Sequence, residues 1–329
     1  MVQTYYACGV CASESQNGDI RLNVYIGITD ADWFTFLSHQ PFIDEVNFWQ
    51  PSGNRLFKAL HPGELFLFKL HSPNDYIVGG GFFAHSTLLP CSLAWTTFQE
   101  RNGAISITEM RRRIEKYRRS MSTREDYQIG CVLLEQPFFF EKNEWIPAPE
   151  DWSKNIVQGK RYNFSSGIGK RLWEELQERL GKIPLVGLNG AIREPESEYG
   201  APQTVLPRLG QGSFRVMVTD AYQRRCAVTQ EKTLPALEAG HIKPYSESGP
   251  HSLKNGILLR SDIHRLFDNG YVTVTTDLRF EVSRRIREEF ENGRDYYAYN
   301  GKKIIVPENK FHWPAPEFLT WHHNNVYLG

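Results

Sequence analysis

Three runs of sequence between residues 237 and 268 decide how the C-terminal third of the chain folds. They read Leu237-Glu238-Ala239-Gly240-His241-Ile242-Lys243-Pro244, Asn255-Gly256-Ile257-Leu258-Leu259 and Asp262-Ile263-His264-Arg265-Leu266-Phe267-Asp268. The first two runs are short, partly apolar and separated by a polar loop, which predicts two strands of a hairpin. Asp262 is a residue type that often caps a helix N-terminus, so the third run predicts a helix anchored by Leu266 and Phe267.

Four polar side chains occur within these runs. His241, Asn255, His264 and Asp268 follow one another at intervals of 14, 9 and 4 residues. Positions i and i+4 lie on one face of a helix, so His264 and Asp268 are predicted to point toward a common ion. His241 is predicted at a strand end facing a loop, with Asn255 close enough in the hairpin to orient its imidazole.

Hydrolysis of a phosphodiester fits this set of side chains. The reaction needs a group that takes a proton from water near neutral pH, and histidine is the usual choice. It also needs a charge that stabilises the phosphate and the leaving oxygen, which a divalent cation supplies. The chain therefore needs one histidine without metal and at least two other ligands.

The pattern resembles the HNH, or ββα-metal, nuclease family over roughly residues 213 to 285. By position, the resemblance implies that His241 is the general base, Asn255 orients it, and His264 is a metal ligand. Asp268 lies where related nucleases place a second ligand. Imidazole with carboxylate ligands suits a hydrated ion such as Mg²⁺ or Mn²⁺. The resemblance thus implies a metal-dependent DNA endonuclease.

The sequence departs from that family at two places. Many members carry Asp or His directly before the base, where this chain has Gly240. Either Asp268 and His264 hold the ion with water, or Glu238 contributes. Many members also carry cysteine pairs that bind zinc, whereas Cys226 stands alone here, so no structural zinc is expected.

Composition and residue patterns divide the remaining chain into segments and limit the class of protein to which it can belong. Residues 1–180 alternate strand and helix patterns and predict an α+β domain on a curved, mostly antiparallel sheet. Residues 181–212 are rich in Pro and Gly and predict a linker to the nuclease domain at 213–329. Five cysteines and the absence of an apolar membrane or signal segment favour a cytoplasmic protein without disulfides. The formal net charge of zero is not typical of a protein that coats nucleic acid.

The first domain has the residue types of a base-binding pocket. Stacking faces and polar groups for a base edge are supplied by Trp33, Phe48, Trp49, Phe82 and Trp95, with Asn47 or Asp32. Each ring could instead fill the core, and that alternative stays open. The order of strand, helix, Asn47-Phe48-Trp49 segment, Pro62-Gly63-Glu64 turn with its strand, and Gly79-Gly80-Gly81 strand resembles PUA-like modules of the EVE, ASCH and SRA kind. That likeness implies a curved sheet or barrel.

A PUA-like reader followed by an HNH nuclease is the architecture of modification-dependent, type IV restriction enzymes. The resemblance implies cleavage of double-stranded DNA that carries 5-methylcytosine or 5-hydroxymethylcytosine, read by base flipping. One HNH site cuts one strand, so a homodimer is expected. Two alternatives remain: a nuclease triggered by phosphorothioate or by plain sequence, and an inactive nucleic-acid-binding module.

Overall fold

The computed structural model describes residues 13–14, 20–21, 23–118, 126–164, 166–180 and 210–329. The chain divides into two compact units, residues 1–207 and 208–329. Most of the predicted linker at 181–212 lies outside the described residues. No helix in the described ranges is long and apolar enough to cross a membrane.

The described part of the first unit contains nine strands and four helices. Its strands are β1 (Ser13–Glu14), β2 (Ile20–Arg21), β3 (Asn23–Thr29), β4 (Glu45–Gln50), β5 (Leu65–Leu70), β6 (Tyr76–Pro90), β7 (Gln128–Phe139), β8 (Ile146–Pro147) and β9 (Gly159–Asn163). Its helices are α1 (Ala31–Ser38), α2 (Cys91–Phe98), α3 (Ile107–Tyr117) and α4 (Gly167–Leu180). Asp30 caps α1, as its side chain accepts the Trp33 N–H at 3.0 Å.

Seven strands form one mixed sheet. The order is β4-β7-β6-β5-β3-β9, with β8 beside β6. Strands β3 and β5 are parallel and the other pairs are antiparallel. In this part of the chain β4 and β9 lie at open edges, so the barrel that the sequence suggested as one form is not found. The pairing of β6 with β7 shifts register between Gly80 and Phe82, where the triple glycine predicts a bulge.

Two groups of side chains fill the first unit. One contains Val24, Leu65 and Ile77 of the sheet with Leu172 and Leu176 of α4. The other is aromatic: Trp33 meets Phe48 and Phe68 edge to face at centroid distances of 5.6 and 5.1 Å, and Phe66 lies 4.7 Å from Phe48. Rings this size remove much apolar area from water, so they hold α1 on the sheet.

The second unit is a ββα hairpin extended by a second hairpin and four further helices among its described residues. The strands are β10 (Leu237–His241), β11 (Gly256–Arg260), β12 (Val272–Val274) and β13 (Phe280–Val282). The helices are α5 (Gln211–Ala221), α6 (Ser261–Asp268), α7 (Arg285–Phe290), α8 (Arg294–Tyr297) and α9 (Pro316–Asn325). β10 pairs antiparallel with β11, from Leu237 opposite Arg260 to His241 opposite Gly256. The predicted hairpin and helix are confirmed.

One detail of the helix prediction was wrong. Helix α6 begins at Ser261 with Arg260 at the N-cap, and no side chain caps it. Asp262 lies in the first turn, where its carboxylate accepts from the Arg260 guanidinium at 2.7 and 2.8 Å. The ion pair with Arg260 competes for the carboxylate that would otherwise cap the backbone.

Helix α9 packs against the last turn of α6 and holds it in place. His322 of α9 is buried, and its ring stacks on Phe267 at a centroid distance of 3.7 Å. Its Nε2 lies 3.0 Å from the Phe267 carbonyl oxygen and its Nδ1 lies 2.9 Å from Thr273 Oγ1. Nε2–H therefore donates to the carbonyl and Nδ1 accepts from the hydroxyl. This contact holds the end of the helix that carries Asp268.

Candidate active site

Strand β10 and helix α6 bring three ionisable side chains together. His264 Nδ1 lies 2.7 Å from Glu238 Oε2, and His264 Nε2 lies 3.5 Å from Asp268 Oδ2. A carboxylate can only accept, so Nδ1 carries the hydrogen and donates to Glu238. The lone pair of Nε2 then faces Asp268. That is the orientation in which an imidazole binds a metal ion, with a carboxylate fixing the ring from behind.

The donor set fits a divalent cation held by His264 and Asp268. Two ligand atoms at about 2.1 Å from one ion can span the separation between their donor atoms. Desolvation raises the pKa of Asp268, nearby His264 lowers it, and Glu238 raises it further. A cation would relieve the repulsion between the two carboxylates. Among the described residues no group of three His, Cys, Asp or Glu side chains is arranged to hold a metal ion, so water would complete the shell.

Gly240 explains the departure from the HNH pattern before the base. A Cβ at this position would lie 2.5 Å from His264 Nε2 and 2.6 Å from Cδ2. Both distances are far shorter than a van der Waals contact. The imidazole of His264 therefore occupies the space into which a side chain at position 240 would extend.

His241 ends β10 and is held by aromatic neighbours. Its ring stacks on Phe214 at a centroid distance of 3.9 Å and an interplanar angle of 11°. Its Nε2 lies 2.8 Å from Nδ1 of His251. Burial is the largest cause that lowers the pKa of His241 to about 4, and the nearby His251 and His264 contribute to the same shift. The imidazole is therefore neutral at physiological pH and able to accept a proton.

Asn255 makes contacts other than the one expected from the sequence. Its Oδ1 accepts the Lys243 N–H at 2.8 Å, and its Nδ2 donates to the carbonyl oxygens of Lys243 and Pro250 at 2.9 and 3.0 Å. These bonds use the amide to tie the two ends of the loop between β10 and β11. Asn255 thus braces the loop that follows His241, and the hydrogen bond of the imidazole goes to His251.

An open cleft joins these groups. It has a volume of about 160 Å³ and is lined by Gln211, Arg215, Glu238, Ala239, His241 and His264. Gln211 and Arg215 are exposed and lie one turn apart on α5, whose buried Phe214 and Val218 face the core. The side chains of two histidines and an arginine therefore line one cleft.

Residues 226–275 match the family model described as HNH endonuclease. This segment is an HNH endonuclease domain. A solved structure described as "Modification dependent TagI restriction endonuclease" aligns with 87% of this chain and 77% of its own, at 11% identity and a TM-score of 0.26. No curated protein matches the chain.

Sequence reasoning missed three residues that line the cleft or contact a residue that lines it. Gln211 and Arg215 lie before the matched segment, and the only signal for them is that the apolar face of α5 leaves them on the opposite side. His251 lies in a loop, where no periodicity exists to place a side chain. A histidine four residues before Asn255 was the only signal.

The residues predicted to bind a base do not all meet. Trp33, Asn47, Phe48 and Trp49 are buried together. Asp32 is exposed on α1, Trp95 is half-buried on α2, and Phe82 packs against the other core group with Val24 and Leu65.

Asn102 organises the buried part of that set. Its Oδ1 accepts from Asn47 Nδ2 at 2.9 Å, and its carbonyl oxygen accepts from Trp49 Nε1 at 3.1 Å. Trp33 Nε1 and Asn47 Oδ1 are buried with no hydrogen-bond partner among the described residues. Buried polar atoms are nearly always paired, so an unpaired donor and an unpaired acceptor in one aromatic cluster are unusual.

Proposed function

We propose that this chain is a DNA endonuclease that is directed to modified cytosine by its first unit and cuts with its HNH domain. One observation carries the nuclease part. A neutral His241 and the imidazole of His264 line the same cleft, one held as a base and the other turned toward a carboxylate. Metal-assisted phosphodiester hydrolysis requires one group that acts as a base and another that holds the metal ion.

In this proposal His241 takes a proton from the attacking water. His264 and Asp268 hold the metal ion, and Glu238 fixes the His264 ring through the 2.7 Å hydrogen bond to Nδ1. The ion, Mg²⁺ or Mn²⁺, supplies Lewis-acid stabilisation of the phosphate and of the leaving 3′-oxygen. Glu238 therefore acts behind the ligand and not as a ligand itself.

Arg215 is proposed to contact the phosphate backbone. Arg215 lines the same cleft as His241. Guanidinium groups bind phosphate oxygens with two parallel hydrogen bonds. Such a contact would place the scissile phosphate across the cleft without reading sequence.

Cys226 is assigned no metal. It is fully buried, and its sulfur accepts from the backbone N–H groups of Thr229 at 3.4 Å and Arg260 at 3.3 Å. The contact with Arg260 ties the start of the domain to β11, and the contact with Thr229 is local. A buried thiol in this setting serves packing.

The first unit is proposed as a PUA-like module that reads 5-methylcytosine or 5-hydroxymethylcytosine after base flipping. The unpaired Trp33 Nε1 and Asn47 Oδ1 support it, because a base edge offers a matching acceptor and donor. Phe48 and Trp49 would supply stacking faces. These side chains are buried, so binding requires the cluster around Asn102 to open.

Two copies of the chain are proposed to act on one duplex, since one HNH site cuts one strand. A cytoplasmic restriction enzyme that spares unmodified host DNA is the resulting biological role.

Two copies of one plasmid, cytosine-methylated and unmethylated, test the substrate. With Mg²⁺ or Mn²⁺, the methylated copy is expected to be cut and the other spared. Equal cutting of both copies would reject modified cytosine as the trigger, and cutting only of a phosphorothioate copy would identify that alternative. The Trp49→Ala variant is expected to lose binding to methylated duplex selectively; equal loss on both duplexes would give Trp49 a purely structural role.

A further inference from the structure

We propose that His251 is a positioning residue for the general base: it accepts the Nε2–H of His241 and so leaves Nδ1 of His241 as the nitrogen that takes the proton from water. The catalytic consequence rests on the proposed nuclease function. The hydrogen-bond arrangement itself does not depend on that function.

The two rings share one hydrogen between them. His241 Nε2 and His251 Nδ1 are 2.8 Å apart, and a neutral imidazole has one protonated and one unprotonated nitrogen. If His241 donates, its Nδ1 carries a lone pair and can act as a base. If His251 donates, Nδ1 of His241 carries the hydrogen and cannot. The direction of this one bond therefore decides whether His241 is competent.

Tautomer preference gives the direction. A neutral histidine side chain in water favours the form with hydrogen on Nε2. When His241 donates from Nε2 and His251 accepts at Nδ1, both rings are in that favoured form. The reverse arrangement puts hydrogen on Nδ1 in both rings. The bond from His241 to His251 is therefore the more stable of the two.

Both rings are held before any substrate binds. Phe214 stacks on His241 at 3.9 Å, and Tyr245 stacks on His251 at a centroid distance of 4.8 Å and an angle of 15°. Asn255 donates to the carbonyl oxygen of Pro250, the residue directly before His251, at 3.0 Å. The brace that Asn255 provides thus reaches His241 through His251. Preorganisation of this kind avoids the cost of ordering the base during the reaction.

In the proposed hydrolysis, His241 is the side chain that gains a proton. Nδ1 accepts a proton from water, and the water oxygen forms a bond to phosphorus. The bond from phosphorus to the 3′-oxygen breaks, its electron pair stays on that oxygen, and the oxygen takes a proton from solvent water. His241 then carries hydrogen on both nitrogens and a positive charge. Its bond from Nε2 to His251 becomes charge-assisted and so stronger, while His251 stays neutral.

A matched pair of variants tests the catalytic consequence. In His251→Asn the Oδ1 acceptor lies near the position of the lost Nδ1, whereas His251→Phe keeps a ring for Tyr245 and has no acceptor. On a cytosine-methylated plasmid with Mg²⁺, we expect kcat to fall about 10- to 100-fold in His251→Phe, with KM changed less than about twofold. His251→Asn should recover most of that loss. An unchanged kcat in His251→Phe, or equal losses in both variants, would overturn the proposal.

A second measurement requires no cutting. In ¹⁵N-histidine-labelled full-length protein, assigned with the His241→Ala variant, we expect hydrogen on Nε2 of His241 and none on Nδ1. His251→Phe should give a mixture of the two forms. Hydrogen on Nδ1 of His241 in the unmodified chain, or an unaltered spectrum in His251→Phe, would contradict the assignment. Failure of the chain to cut any DNA would reject the proposed function, and the spectrum would still decide the direction of the bond.

Discussion

The substitution Gly240→Ala tests whether the His264 ring excludes a side chain before the base. The added Cβ would lie 2.5 Å from Nε2 and 2.6 Å from Cδ2, so the ring must move by about 1 Å to reach an ordinary contact. That motion strains or breaks the 2.7 Å bond to Glu238. Overpacking of this kind costs about 1–3 kcal/mol. The ring is 18% exposed and can move outward, so we expect the lower half of that range.

A double-mutant cycle separates the loss of stability caused by the clash with His264 from the other effects of alanine at position 240. Urea unfolding of Gly240→Ala is compared with the same change in a His264→Ala background, where the clash is absent. Alanine also reduces the entropy of the unfolded chain, and this contribution cancels in the cycle. We expect the cost to fall below about 0.5 kcal/mol in that background. An equal cost in both backgrounds would refute the steric explanation.

Three further changes follow from the charges of the structure. Arg215→Ala should weaken DNA binding about tenfold and reduce the salt slope of the affinity by about one, measured by anisotropy. Arg224→Ala should do neither, because the Arg224 guanidinium already pairs with the carboxylate of Asp220 on α5. Burial lowers the pKa of His322 to about 4. The stability contributed by the neutral ring is complete above about pH 6.5 and is lost as pH falls toward 4. In urea unfolding, His322→Phe should reduce the slope of the unfolding free energy against pH in this range by about 1.4 kcal/mol per pH unit. Burial, with nearby Glu45 and Asp44, raises the pKa of Glu135 to about 9. The stability that the protonated carboxyl contributes below pH 4.5 is therefore lost as pH rises to 9. Glu135→Gln should raise the free energy of unfolding at pH 8 by at least about 1 kcal/mol.

The ββα hairpin was predictable because its signals are local. Apolar residues in Leu237–His241 and Gly256–Arg260 mark two strands, and the spacing of His264 and Asp268 places both on one helical face. The matched HNH segment includes all of these residues. Helix capping failed at Asp262, since nothing in a sequence shows that Arg260 takes its carboxylate.

The contacts around the base were not predictable for a physical reason. Asn255 and His251 act through a loop, and the conformation of a loop depends on backbone hydrogen bonds that no periodic pattern encodes. The same limit applies to the first unit. An aromatic residue in a helix or a strand has the same sequence signature whether it fills a core, as Trp33 and Phe48 do, or lines a cavity. The role of Gly240 also appears only when His264 is placed in space.

A cleavage assay on the His241→Ala variant tests most directly the central claim, which is that His241 is the general base. The unmodified chain and the variant are incubated with cytosine-methylated plasmid and Mg²⁺ or Mn²⁺, with and without a chelator, and binding to the same DNA is measured in parallel. We expect cutting by the unmodified chain that stops with the chelator, and at least about 100-fold slower cutting by the variant at unchanged affinity. Cutting by His241→Ala at the rate of the unmodified chain would contradict the assignment of His241 as the base.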